Sequence, residues 1–140
     1  MQEKNFEKLE GKLPGVVKNI LLKKYTTFRI GGRAKYFFVA KTKEQIIQAV
    51  KIAKNFNLPF FILGAGSNLL VSDQGFNGLV IKIQNTKYRI QDTKIITEAG
   101  AMLGELVKVS AKARLSGLEW AAGIPGTVGG AIRGNAGAFG

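Results

Sequence analysis

Cysteine and histidine are both absent from the 140 residues. Without them there is no disulfide framework, no zinc site of the usual ligands, no thiol nucleophile and no imidazole base. Acid–base chemistry is left to Asp, Glu, Lys, Tyr and Ser, or to something bound. The lack of cysteine also fits a reducing compartment. Acidic side chains are scarce, 9 Asp+Glu against 21 Lys+Arg, and proline occurs three times. Long apolar runs are missing as well. Leu58 to Leu63 falls far short of the roughly 20 residues that a membrane span needs, and Met1 to Gly11 holds no signal-like apolar stretch. A soluble, cytoplasmic protein without membrane association is expected.

The length suits one ordinary domain, and 46% hydrophobic residues suffice for a core. A net charge of +12 invites a nucleic-acid reading. Its distribution argues against that: thirteen of the 21 basic side chains lie in residues 1–54, spread singly (Lys4, Lys8, Lys12, Lys18 and onward) instead of interleaved with aromatics. A solvated helix face accounts for such spacing, and no nucleic-acid partner is expected. Glycine is concentrated at the other end, with eight of 18 in the last 24 residues. Leu118, Trp120, Ile124, Val128, Ile132 and Phe139 are interleaved there, which a flexible linker would not need. The stretch reads as ordered backbone that something approaches closely.

Hydrophobic spacing predicts short basic helices over 3–10 and 16–24, the latter burying Val17, Ile20 and Leu21. A strand is predicted over 36–40, then a helix over 43–56 capped by Thr42, then a strand over 60–63. That order suggests a right-handed crossover and a parallel strand pair. Further strands are expected at 69–71, 79–83, 88–90 and 95–97, and a helix from Leu103 to Arg114. A division into lobes 1–68 and 69–140 is expected.

Two segments are suited to anions. The first, Gly64-Ala65-Gly66-Ser67-Asn68-Leu69, directly follows an apolar strand, so its glycines can turn the backbone and aim successive N–H groups at one point. It is not a dinucleotide fingerprint, because Leu69 stands where a third glycine would be, and the Gly-Lys-Ser/Thr of a P-loop is missing. The second is Gly123-Ile124-Pro125-Gly126-Thr127-Val128-Gly129-Gly130-Ala131, followed by Asn135-Ala136-Gly137. It can be a tight loop feeding a helix N-terminus, with unpaired N–H donors and a Thr127 hydroxyl to give, or equally a close helix packing through small residues. Two such segments in a chain without Cys or His favour a phosphate-bearing cofactor that carries the hard chemistry.

Three stretches, Tyr25-Thr26-Thr27-Phe28-Arg29-Ile30-Gly31-Gly32, Leu63 to Asp73 and Gly117 to Ala131, closely resemble the UDP-N-acetylenolpyruvoylglucosamine reductases, shorter subclass, in the right order and spacing. The resemblance implies an α+β fold, the two-subdomain FAD-binding module of the vanillyl-alcohol-oxidase type, with the second subdomain incomplete and the substrate domain absent. It places FAD on Gly64 to Leu69, on Gly123 to Gly130 and on Asn135 to Gly137, held noncovalently. It implies NADPH as cosubstrate, a UDP-sugar enolpyruvyl ether as substrate, and a monomer acting in peptidoglycan precursor synthesis. The family's catalytic Arg, Ser and Glu match no position here, so the 140 residues alone are expected to be inactive. Arg33, Gly134 and Phe139 depart from the family's usual residues. By its motif position Arg133 belongs with the flavin-contacting stretch, and Glu119 reads as structural. A small noncatalytic flavin binder and a basic nucleic-acid-binding domain are the alternatives.

Overall fold

The computed structural model describes the backbone of residues 2–138 and the side chains of residues 6–138; Phe139 lies outside it. Helix α1 spans Gln2–Lys12 and sends Leu9, with Leu13 and Val16 just beyond it, into the core. The Pro14-Gly15 pair then ends it, Gly15 turning with φ +89°.

The second basic segment is not a helix. Val17–Leu21 is strand β1, antiparallel to β2 (Arg33–Ala40), and Leu22–Tyr25 is a turn of 3-10 helix. Its burial also differs from expectation: Val17 is 44% exposed, while Val16 and Leu22 are buried. The β2 edge left open by its other neighbour needs backbone partners, and the β-branched Val17 and Ile20 are suited to supply them.

Helix α2 (Lys43–Asn55) starts where Thr42 predicts, with the Gln45 N–H donating to Thr42 Oγ1 (3.2 Å) and the Gln45 side chain accepting from the Lys41 N–H (2.7 Å). Ala49 and Ala53 are fully buried, so the helix sits close to the sheet, while Phe56 at its end is exposed. Thr42→Ala removes the cap acceptor and is expected to cost about 1 kcal/mol in a urea denaturation, with m unchanged.

Strand β3 (Phe60–Leu63) leads into the glycine loop and β4 (Phe76–Ile83) returns from it. The sheet order is β1-β2-β4-β3, with β4 parallel to both neighbours. The expected pair β2 and β3 do run parallel, but β4 lies between them. The lobe boundary expected after residue 68 therefore falls between strands of this sheet, since β4 lies beyond it and β1, β2 and β3 before it. The strand expected at 69–71 does not form. That segment packs on the Gly31-Gly32 turn instead: a Cβ on Gly31 would stand 2.5 Å from Val71 Cβ, and the Gly32 N–H donates to the Ser72 carbonyl (2.8 Å).

The alternation of β4 divides the core. Leu79, Ile81 and Ile83 face α1 and α2 together with Tyr36 and Phe38, whereas Val80 faces Leu22, Ala34, Phe37 and Leu63. The hairpin of β5 (Tyr88–Gln91) and β6 (Lys94–Thr97) turns at Asp92, φ +52°. Helix α3 (Leu103–Lys112) follows, ending two residues before the Arg114 expected, and the short α4 (Val128–Arg133) closes the described chain. No helix among the described residues is long and apolar enough to cross a membrane.

Candidate functional site

The three parallel strands end at one edge, at Ala40, Ile83 and Leu63, and ligands of open parallel sheets gather at that edge. The loop 64–69 leaves Leu63 there. Gly66 has φ +71° and is buried; a Cβ on it would run into the Tyr25 carbonyl oxygen. Its own carbonyl accepts from the Thr27 N–H (3.0 Å). The Tyr25–Thr27 segment is thus the support on which the loop rests. Among the described residues, the backbone N–H groups of Ala65, Gly66, Ser67 and Asn68 donate to no protein acceptor, and those of Leu69 to Asp73 after them likewise. Consecutive unspent donors in a turned loop are a demand for an anion or ordered water.

The second glycine segment meets the first. Ser67 Oγ donates to the Pro125 carbonyl (3.4 Å), a Cβ on Gly126 (φ +120°) would stand 2.9 Å from Ser67 Oγ, and a Cβ on Gly64 would stand 2.6 Å from Thr127 Oγ1. Glycine at 64 and 126 is what allows two loops, 58 residues apart at Ser67 and Pro125, to touch. Leu103 N–H donates to the Gly126 carbonyl (2.9 Å), so α3 also holds this segment.

The start of α4 differs from the expected open helix terminus. Thr127 Oγ1 is buried and accepts from the Gly130 N–H (3.2 Å), which leaves its hydroxyl hydrogen still to give. The Val128 and Gly129 N–H groups donate to the carbonyls of Ala101 and Ala99 (2.9 Å each). The first turn of α4 is therefore already satisfied, while among the described residues the N–H groups of Gly123, Gly126 and Thr127 just before it, like those of the first loop, donate to no protein acceptor. Asn135 and Ala136 are spent in closing α4, donating to Ile132 (3.2 Å) and Ala131 (2.9 Å) carbonyls; Gly137 is exposed. Gly123 is exposed and Ile124 half-buried beside Pro125, and Arg133 is exposed on the last turn of α4.

Glu119 has the structural role expected of it. Its Oε2 accepts from the Gly117 N–H (2.7 Å), and its own backbone N–H together with that of Gly117 holds its carboxyl below the usual carboxylate range. A carboxyl depressed on folding stabilises above its unfolded pKa, and that contribution is lost as pH falls through its folded value. Melting curves of the wild type and Glu119→Gln are therefore expected to separate near neutral pH and to converge in acid.

Lys82 was not foreseen as a site residue, although a lysine within Leu79-Val80-Ile81-Lys82-Ile83 is the signal that could have marked it. Half-buried near the end of β4, opposite Leu63 and Val39 in register, it donates from Nζ to the Gly64 carbonyl. Burial pushes its ammonium below the ordinary lysine value. An apolar hollow of about 170 Å³, lined by Leu22, Leu63, Leu69, Leu70, Val71 and Val80 among others, adjoins the loop; it carries no charged side chain and offers nothing to neutralise an anion.

A family model described as an FAD binding domain matches residues 34–140. The chain belongs to this family. It is similar to the UDP-N-acetylenolpyruvoylglucosamine reductases of Clostridium tetani (43% identity, 86% of this chain and 40% of the relative) and Alkaliphilus oremlandii (46% identity, 85% and 40%). The chain thus spans about 40% of the length of the curated relatives it matches. Among solved structures, the UDP-N-acetylenolpyruvylglucosamine reductase of Thermus caldophilus superposes with a TM-score of 0.70 at 40% identity, over 87% of this chain and 43% of that one. p-Cresol methylhydroxylase superposes with a TM-score of 0.56 at 17% identity, over 81% of this chain and 25% of that one, a likeness of fold alone. The fold is the α+β FAD-binding module of the vanillyl-alcohol-oxidase type, as the motifs implied.

Proposed function

We propose that this chain is the FAD-binding part of a UDP-N-acetylenolpyruvoylglucosamine reductase, and that it holds the diphosphate of FAD on the loop 64–69. The observation that carries this reading is the contact of two glycine segments at the C-terminal edge of the parallel strands, with the amides of Ala65 to Asn68 unspent. Those donors suit the charge of a diphosphate. The first loop binds; the second, with the amides of Val128, Gly129 and Gly130 spent within the fold, supports it and shapes the opening. Gly123 to Gly126 and Asn135 to Gly137 line the approach to the rest of the cofactor.

These 140 residues bind the cofactor noncovalently, with no His or Cys among them through which to tether it. FAD, when bound, supplies electron transfer between NADPH and the enolpyruvyl double bond of the UDP-sugar, which would yield UDP-N-acetylmuramate for peptidoglycan in the cytoplasm. This chain's own residues bind and orient; no acid or base among them is assigned to the reaction. The partner is the UDP-sugar substrate rather than nucleic acid, and the protein acts as a monomer.

Titration of the chain into FAD tests the reading. Saturable quenching of flavin fluorescence, with a raised melting temperature at saturation, is the expected result. Unchanged fluorescence up to high protein concentration, from a chain that melts cooperatively, would overturn it.

A further inference from the structure

We infer that Lys82 is the cation of the diphosphate site: its ammonium orients the Gly64 carbonyl before the ligand arrives and carries part of the ligand's negative charge once it is bound. The inference rests on the FAD reading above and deepens it.

Three observations support it. Lys82 lies on β4, an inner strand flanked by two parallel neighbours, one residue before its end and paired through the register with Val39 and with Leu63, the last residue of β3. A lysine kept there only for its aliphatic stem would carry its head out to water. Its ammonium is instead turned to the carbonyl of Gly64, the residue immediately before the unspent amides. Finally, no carboxylate among the described residues offsets the burial of this charge, which lowers its pKa. A half-buried ammonium whose one protein partner is a neutral carbonyl is costly, and an apolar side chain would fit between Val39 and Leu63 at lower cost. An anion arriving on the neighbouring N–H groups reverses that balance, because the amides supply dipoles and Lys82 supplies net charge.

The chemistry recognised is a diphosphate, carried by FAD and also by UDP. The position on the loop assigns it to FAD. Affinities for FAD, riboflavin and UDP are to be measured on the wild type, Lys82→Met, Lys82→Gln and Lys82→Arg, together with each melting temperature. Removing the charge is expected to weaken FAD binding 10- to 100-fold while leaving riboflavin, which has no phosphate, within twofold, and Lys82→Arg should recover much of the loss. UDP should compete with FAD weakly, and more weakly still in Lys82→Met and Lys82→Gln than in the wild type. Should Lys82→Met not fold, Lys82→Gln makes the same comparison, since its amide can still donate to the Gly64 carbonyl without charge. FAD affinity within threefold of wild type in Lys82→Gln, or an equal fall for FAD and riboflavin, would overturn the role of Lys82 alone. A mutation that weakens UDP but spares FAD would assign the cation to the other diphosphate and overturn it too. A folded wild type that binds no flavin overturns the FAD reading, and Lys82 with it.

Discussion

Gly66→Ala is expected to lower the melting temperature by roughly 6–15 °C and to remove FAD binding, although it adds one methyl group. Two costs coincide. The residue has φ +71°, in the left-handed region that penalises a side chain by roughly 1–2 kcal/mol. The new Cβ also meets the Tyr25 carbonyl oxygen, part of the backbone on which the loop rests, and such overpacking costs about 1–3 kcal/mol. The sum, about 2–5 kcal/mol, converts at roughly 3 °C per kcal/mol for a domain of this size. Relief would require Tyr25 and Thr27 to move away, breaking the bond from the Thr27 N–H to the Gly66 carbonyl (3.0 Å) and re-aiming the free amides. Gly123→Ala is the control. Its φ is +85°, but open space surrounds a Cβ there, so only the backbone strain remains. Calorimetry of the two variants separates the terms. Equal melting temperatures for both would show that the Tyr25 contact does not matter.

Phe37→Ala is expected to cost about 3–5 kcal/mol in equilibrium denaturation, the largest stability effect of any variant considered. Phe37 is 2% exposed on β2, packed with Leu22, Leu63 and Val80 on the face of the sheet away from α2. Its ring lies 4.7 Å from that of Tyr25, tilted by 36°. The cavity left by the missing ring would loosen Tyr25, whose carbonyl bears on Gly66. FAD affinity is therefore expected to fall by more than the loss of folded protein explains. Phe37→Leu keeps most of the volume and should lose about 1 kcal/mol, with flavin affinity near wild type. A Phe37→Ala chain that is destabilised yet binds FAD normally at a temperature where it is folded would show that the sheet's second core does not support the loop.

The sequence was legible where one local cause decided the outcome. Thr42 capped α2, since a threonine hydroxyl before Lys43 reaches the Gln45 N–H whatever lies beyond. The periodicity of Ile46, Ala49, Val50, Ala53 and Phe56 located its buried face except at Phe56, which is exposed, and the apolar Phe60–Leu63 followed by glycines located strand and loop. Expectations failed where the partner was distant in the chain. Val17–Leu21 has a spacing compatible with a helix, but the open edge of β2 drew it into the sheet. Leu69-Leu70-Val71 has the composition of a strand, yet Gly31 and Gly32 bind it as irregular chain.

Residue types and their spacing alone favoured a bound group as the source of the chemistry, marked two glycine segments as suited to it, and matched one family's motifs. Tertiary structure decided which donors within each segment remain to be given. The amides at the start of α4 are consumed by Ala99, Ala101 and Thr127, whereas those after Gly64 are left free beside Lys82. A hydrogen-bond donor is spent or unspent according to which acceptor the folded chain brings within 3 Å or so of it. That pairing joins residues far apart in the sequence, and no local pattern of side chains encodes it.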